Sequence, residues 1–258
     1  MNKINIIDFI LSHIKSNKRI STLYTNKHPN TKYSIESIIE DIIYVLKTGI
    51  SWRSIRSNNN WQSIYFHFKR FVKYKIFRSL FNNIKNRYIL ANNINTLIID
   101  SSYVPNKNGK QSISRNKFYK NKNGNKITII TDIKGIPLTA FVSKGTINDC
   151  KLFNPTYRNI TKKVKNSSSY LLADKGYISR YIREKLAKNN CVLMVPHKKG
   201  QKKKHFFDKK LYKKRIVVEQ TFQKIKVFRR LHNRYDSNIY SFYGFSYLAM
   251  SLIIYRAI

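Results

Sequence analysis

Three carboxylates stand out by where they fall in the chain. Asp100 closes the apolar run Thr96–Asp100 (TLIID), and Asp174 closes Tyr170–Asp174 (YLLAD); both runs read as buried strands. Acids at the carboxyl ends of buried strands sit where open α/β sheets place their sites. Glu219 lies in the helical run Arg215–Arg230. There Arg215, Glu219, Gln223, Lys226 and Arg230 share one narrow edge at about 100° per residue. The apolar stripe Val218, Phe222, Ile225 and Phe228 lies beside it. In-line displacement at a phosphodiester is helped by two divalent cations, one activating the attacking oxygen and one stabilising the leaving oxygen. Hard cations such as Mg²⁺ take carboxylate oxygens and keep several waters, so two or three carboxylates suffice. Taken singly, either aspartate would be a loop hydrogen-bonder or helix cap, and Glu219 a partner for Arg215 one turn earlier. The chemistry rests on the set.

Composition sharpens the contrast. The 258 residues include 12 Asp+Glu against 51 Lys+Arg, a formal charge of +39. A polyanion is the expected partner of such a chain. The abundance of Asn, Ile and Tyr beside Lys points to AT-rich coding, so charge alone is discounted as evidence. Hydrophobic residues at 42% fill a real core and exclude wholesale disorder. Cys150 and Cys191 are too few for a disulfide scaffold or a Cys-rich zinc site, which fits a reducing compartment. The six histidines form no zinc spacing. Ile4–Leu11 is a poor signal peptide, and Phe242–Ile258 falls short of the clean apolar run of a spanning helix. A soluble, intracellular protein without a membrane partner is expected.

The elements that must position these acids come in two blocks. Ile35, Ile38, Ile39, Ile42, Ile43 and Leu46 predict a helix stopped by Gly49. A second helix is predicted from about Trp61 to Asn86, with Trp52 and Trp61 as core anchors. After residue 95 the pattern changes. A strand at 96–100 precedes a basic loop at 104–126. A hairpin then joins Lys126–Asp132 to Ile136–Ser143, and a helix runs from Asp149 to about Ile160 despite Pro155. The strand Tyr170–Asp174, a helix at 178–189, the strand Cys191–Val195 and helices Lys213–Arg230 and Ser241–Ala257 follow. The order predicts an α/β fold, a mixed sheet with flanking helices, preceded by a small all-helical domain. The boundary falls near 88–95, giving units 1–90 and 95–258.

The chain from about residue 96 onward resembles the DDE transposases of bacterial insertion sequences, which have an RNase H-like catalytic core. In the four/five superfamily of these enzymes the third-acid signature is Tyr, two residues, Arg, three residues, Glu, six residues, Lys. Tyr212, Arg215, Glu219 and Lys226 meet it at every position. Asp174-Lys175-Gly176-Tyr177 is similar to the second-aspartate motif, and Asp100 in LIIDSSYV to the first. Thr48–Arg53 followed by Trp61–Tyr65 looks like the family's helical N-terminal module. The resemblance implies a transposase that cleaves the ends of a mobile element and joins the exposed 3′-OH to target DNA. It implies two Mg²⁺ ions, replaceable by Mn²⁺, held by Asp100, Asp174 and Glu219, with Tyr212, Arg215 and Lys226 in support. It also implies double-stranded DNA as partner and a homodimer on that DNA. Residues 1–90 would serve DNA recognition or assembly. Glu219 lies only 45 positions after Asp174, which leaves no room for a large inserted domain. Asn148 stands where the family often has His, and Asp149 reads as a helix start rather than a metal ligand.

Two basic blocks flank the predicted strands. Residues 107–126 hold seven Lys/Arg and 197–215 hold ten. Lys117, Lys126, Lys198, Lys199, Lys202, Lys203 and Lys204, with Arg229 and Arg230, are the expected phosphate contacts. The block His197–Arg215 also reads as a nuclear localisation signal in a eukaryotic or viral setting. The expected location is therefore the cytoplasm or nucleoid of a bacterium, or else a nucleus or viral factory. Competing readings are a transposase-derived DNA-binding protein that no longer cuts, an RNase H-like nuclease, and a basic packaging protein. The last leaves the spacing of the acids unexplained.

Overall fold

A computed structural model describes residues 5–18, 21, 33–116, 120–197, 200 and 206–258. Its centre is the strand β1 (Thr96–Pro105), which is longer than predicted. It pairs antiparallel with β3 (Lys122–Asp132), from Leu97 opposite Asp132 to Pro105 opposite Gly124. The parallel neighbour β5 (Tyr170–Leu172) reaches only as far as Ile98. Asp100 is therefore not at the end of its strand. It is mid-strand, two residues past the point where the parallel pairing stops, so the crevice expected at a carboxyl end still opens beside it. Next to β5 lies β6 (Val192–Met194), also parallel. The short β2 (Ser114–Asn116) and β4 (Pro137–Lys144) both pair antiparallel with β3. β2 and the start of β3 occupy the stretch predicted as a basic loop.

The hairpin between β3 and β4 is held by Asp132, whose Oδ1 accepts from the backbone N–H of Lys134 and Ile136, each at 2.9 Å. Its other oxygen accepts from the buried Tyr88 hydroxyl at 2.6 Å. Tyr88 belongs to a helical layer of α1 (Ile6–Ser16), α2 (Ile35–Thr48), α3 (Trp61–Lys73) and α4 (Ile76–Ala91). Gly49 caps α2 at φ 72°, as predicted. The single helix predicted over 61–86 is two, because Lys75 adopts a left-handed conformation at φ 59° and breaks the run. Trp52 packs its ring on Phe68 and Phe245, which bears out its role as a core anchor.

The second half supplies α5 (Asp149–Tyr157), α6 (Lys162–Ser167), α7 (Arg180–Ala187), α8 (Lys209–Tyr212), α9 (Ile216–Lys226), α10 (Arg229–His232) and α11 (Ile239–Tyr255). The C-terminal helix α11 packs against both α4 and β4, so the helical layer and the sheet share one hydrophobic core. Among the described residues no helix is long and apolar enough to cross a membrane. The predicted helix Lys213–Arg230 is interrupted. A 3₁₀ turn at Lys213–Arg215 leads into α9, and Phe228 is extended (ψ 96°) before α10 begins. The 100° spacing ends with α9, and with it the expected alignment of Arg230.

Candidate active site

Each acid is delivered by a different element. Asp100 comes from the middle of β1. Asp174 lies two residues past the end of β5, and its Oδ1 accepts from Gly176 N–H at 2.8 Å, capping a 3₁₀ turn over Lys175–Tyr177. Glu219 sits in the first turn of α9, which packs on β1. The helix carries an acid at its N-terminal end, where the backbone dipole favours it.

Arg215 joins two of the three. Its Nη1 donates to Asp100 Oδ2 at 2.9 Å, and its Nη2 donates to Glu219 Oε1 at 2.6 Å. Burial alone would lower the guanidinium pKa, but Asp100, Tyr212 and Glu219 outweigh it and raise it. Asp100 is strongly perturbed. Burial is the largest cause and Asp174 adds to it, while the Ser101 N–H bond and Arg215 oppose them; the result is a pKa raised from 3.8 to about 6. Asp174 acts on Asp100 in the sense expected of a like charge, favouring its protonated form. Tyr212, raised chiefly by burial, feels Arg215, Asp174 and Asp100. Of the expected supporting residues, Tyr212 and Arg215 thus gather at the acids. Lys226 lies two turns further along α9, about 10 Å away by helix rise, and its pKa is lowered by burial.

Three residues not foreseen as part of the site complete it. Ser101 donates its N–H to Asp100 Oδ1 at 2.8 Å, and its hydroxyl bonds both Thr128 Oγ1 (2.8 Å) and the Tyr177 hydroxyl (2.9 Å). Tyr177 is fully buried, with its pKa raised by burial and further by Asp149, Asp100 and Asp174. It ties the turn carrying Asp174 to the strand carrying Asp100. The third is Asp149, the first residue of α5. Asn148 supplies the cap, accepting from Cys150 N–H, so the expected helix start is in place. A Cβ on Gly176 would meet Asp174 Oδ1 at 2.9 Å and Asp149 Oδ2 at 3.2 Å. Two carboxylates therefore crowd one backbone position, and glycine alone leaves them that room. Spacing carries no signal for Asp149, because its proximity is created by the packing of α5 against the turn at Lys175–Tyr177.

The expected phosphate contacts divide. Lys117, Lys198, Lys199, Lys202, Lys203 and Lys204 lie outside the described residues. Arg229 is exposed. Lys126 is largely buried and bound to Asp149 Oδ1 and the Ile147 carbonyl, each at 3.0 Å. Arg230 corrects the expectation. Turned inward by the break at Phe228, it is 5% exposed, paired with Asp236 at 3.1 Å and hydrogen-bonded to the Ile50 carbonyl. A guanidinium so enclosed does not reach DNA.

Half-buried acids on a strand and a turn, and an arginine fork joining the strand acid to a helix acid, thus lie on one mixed sheet. Residues 92–252, well over half of the chain, match the family model described as "Transposase DDE domain". The chain belongs to the DDE transposase family. A protein of Brucella ovis described as a transposase for insertion sequence element IS6501 is 26% identical over 132 residues, covering 51% of this chain and 98% of that protein. Among solved structures, the piggyBac transposase in a synaptic complex with hairpin DNA superposes with a TM-score of 0.55 at 11% identity, covering 97% of this chain and 75% of that one. That likeness is one of fold: the sheet of this DDE transposase is RNase H-like.

Among the described residues no group of three His, Cys, Asp or Glu stands as a ready-made metal cage. Arg215 neutralises Asp100 and Glu219 in the way a cation between them would. The donors that Asp100, Asp174 and Glu219 offer are hard carboxylate oxygens, suited to Mg²⁺ or Mn²⁺ rather than zinc; the nearby Cys150 thiol is turned to the Gly176 carbonyl at 2.9 Å.

Proposed function

We propose that this transposase cuts the ends of its element and transfers the 3′-OH to target DNA, with Asp100, Asp174 and Glu219 holding divalent cations. The observation that carries the reading is the Arg215 fork, which links the first and third acids although Asp100 and Arg215 lie 115 positions apart in sequence. When bound, Mg²⁺ supplies charge neutralisation at the phosphate and lowers the pKa of the attacking water. The chain's own residues do the rest. Asp100, already ion-paired with Arg215, would supply one carboxylate to hold the ion. Arg215 exchanges its hold on Glu219 for the transferring phosphate, or keeps the glutamate oriented toward it. The Ser101–Tyr177 bond keeps Asp174 in register with Asp100.

DNA binds first through exposed lysines and arginines. Residues 1–90 contribute recognition of element ends or contacts in a homodimer, since two ends must be handled together. The test is a nicking and strand-transfer assay on duplexes bearing the element ends. Asp100→Ala, Asp174→Ala and Glu219→Ala are each expected to abolish Mg²⁺- and Mn²⁺-dependent cleavage while leaving DNA binding within about threefold of the parent. A variant that cleaves at the parent's rate removes that residue from the site.

A further inference from the structure

Away from the acids, a cavity of about 290 Å³ opens where the start of α4, the edge strand β4 and α11 meet. Two kinds of group line it. Lys75, Arg78 and Arg158 supply three positive charges, and no carboxylate shares the lining. Neither Arg78 nor Arg158 has an ion-pair partner among the described residues. Tyr240, Tyr243 and Tyr247 supply aromatic surface from consecutive turns of α11. Tyr240 is 66% exposed, and the rings of Tyr243 and Tyr247 stack at 6.1 Å and 21°.

The two arginines come from distant parts of the chain yet line the same cavity. Both lower the pKa of Tyr243, against a larger upward push from burial. That hydroxyl is already satisfied: it donates to the Val142 carbonyl at 2.9 Å and accepts from Val142 N–H at 3.0 Å. Tyr243 thus seals the open edge of β4, and what it leaves for a ligand is its ring rather than its oxygen. Uncompensated cations at a concave site call for an anion. Aromatic rings beside them call for a planar partner, since a free phosphate would use only the charges.

We propose that this cavity captures one unpaired nucleotide of a DNA strand, its base against the tyrosines and its phosphate between Arg78 and Arg158. The proposal rests on the transposase reading above, and adds to it a site apart from the carboxylates. A base within a duplex has its faces covered by its neighbours, so an aromatic wall is reached only by an unstacked one. A cavity of about 290 Å³ has room for one nucleotide.

The experiment uses a single-stranded oligonucleotide carrying 2-aminopurine, whose fluorescence is quenched by stacking on an aromatic ring. It is run on the full chain without divalent metal, in the Asp100→Asn background, so that cleavage plays no part. The parent is expected to quench the probe. The Arg78→Ala/Arg158→Ala pair and Tyr240→Ala are each expected to weaken binding about 5- to 100-fold. Lys162→Ala/Lys163→Ala, which removes the same charge elsewhere, is expected to leave quenching unchanged. Unchanged quenching in the Arg78/Arg158 variant overturns the proposal. So does a blunt duplex that competes as well as the unpaired strand, or inorganic phosphate that competes as well as a nucleoside monophosphate. Because cleavage is not read, failure here leaves the acid assignments standing, and inactive acid variants with normal quenching leave this site standing.

Discussion

Arg215 donates to Asp100 at 2.9 Å and to Glu219 at 2.6 Å, so one guanidinium spans the first and third acids of the site. The planar fork does what a lysine ammonium cannot, because a point charge on a flexible stem does not hold two carboxylates in fixed directions. Arg215→Lys is expected to lower the cleavage rate at saturating metal at least tenfold, with DNA affinity changed less than threefold. Since Arg215 also lowers the Asp100 pKa, Arg215→Ala is expected to move the acid limb of the pH–rate profile upward. A profile that stays in place separates the arginine from Asp100.

Asp100 gives the metal-free protein a defined pH response. Its pKa is about 6 in the fold, chiefly through burial, against 3.8 ordinarily. The folded chain therefore holds this proton more tightly than the unfolded chain. The group's contribution to stability is full below about pH 4 and is lost as pH rises through about 6. Metal binding has the opposite sign, because only the carboxylate ligates. Apparent Mg²⁺ affinity is expected to fall about tenfold per unit below pH 6. Thermal melts from pH 4 to 8 with and without Mg²⁺, compared with Asp100→Asn, measure both slopes.

Tyr177 and Ser101 link the turn that follows Asp174 to the strand that carries Asp100. Tyr177→Phe removes the bond to Ser101 but leaves Ser101 bonded to Thr128, so the stability cost is expected at about 1 kcal/mol. Cleavage is expected to suffer more than stability, with a raised metal requirement, because Asp174 loses its tie to β1. Gly176→Ala is harsher, since the added Cβ meets two carboxylates. Metal titration of the cleavage rate distinguishes a positioning role, which shifts the midpoint, from a purely structural one, which lowers the folded fraction alone.

The sequence carried the local part of this architecture and missed what depends on packing between distant elements. The link from Asp100 through Arg215 to Glu219, with Tyr212 beside it, was legible because each residue sits in an apolar run or at helical spacing. Even the modest local roles are realised: Asp174 caps its own turn, and Glu219 pairs with Arg215 one turn back. Asp149 beside Asp174 was illegible, because the crowding arises where α5 meets a turn 25 residues later. The extension of β1 past Asp100 was also hidden, since antiparallel pairing with β3 continues through half-exposed polar residues. The stretch predicted as a loop over 104–126 is anchored at Gln111 and Asn125 by Arg234, which is fully buried. Arg234 donates to Asn125 Oδ1, to the Gln111 carbonyl and to the Asp236 and Ser237 carbonyls. In a chain with 51 cations, nothing in the sequence marks which arginines turn inward.

Arg229 and Arg230 turn that last distinction into a measurement. They are adjacent, carry the same charge and were expected to do the same work. Arg229 is exposed, whereas Arg230 is enclosed with Asp236 and lies 5.9 Å from the Trp52 ring. Removing a surface contact to phosphate weakens binding to every duplex alike and reduces the salt slope by about one. Removing one partner of a buried ion pair strands the other, at about 3–5 kcal/mol. Arg229→Ala is therefore expected to keep the parent's melting temperature and to flatten log K against log salt. Arg230→Ala is expected to melt well below the parent, and its folded fraction to keep the parent's salt slope. Equal melting temperatures for the two variants contradict the buried pair, and a salt slope lowered only by Arg230→Ala would return that residue to the DNA surface.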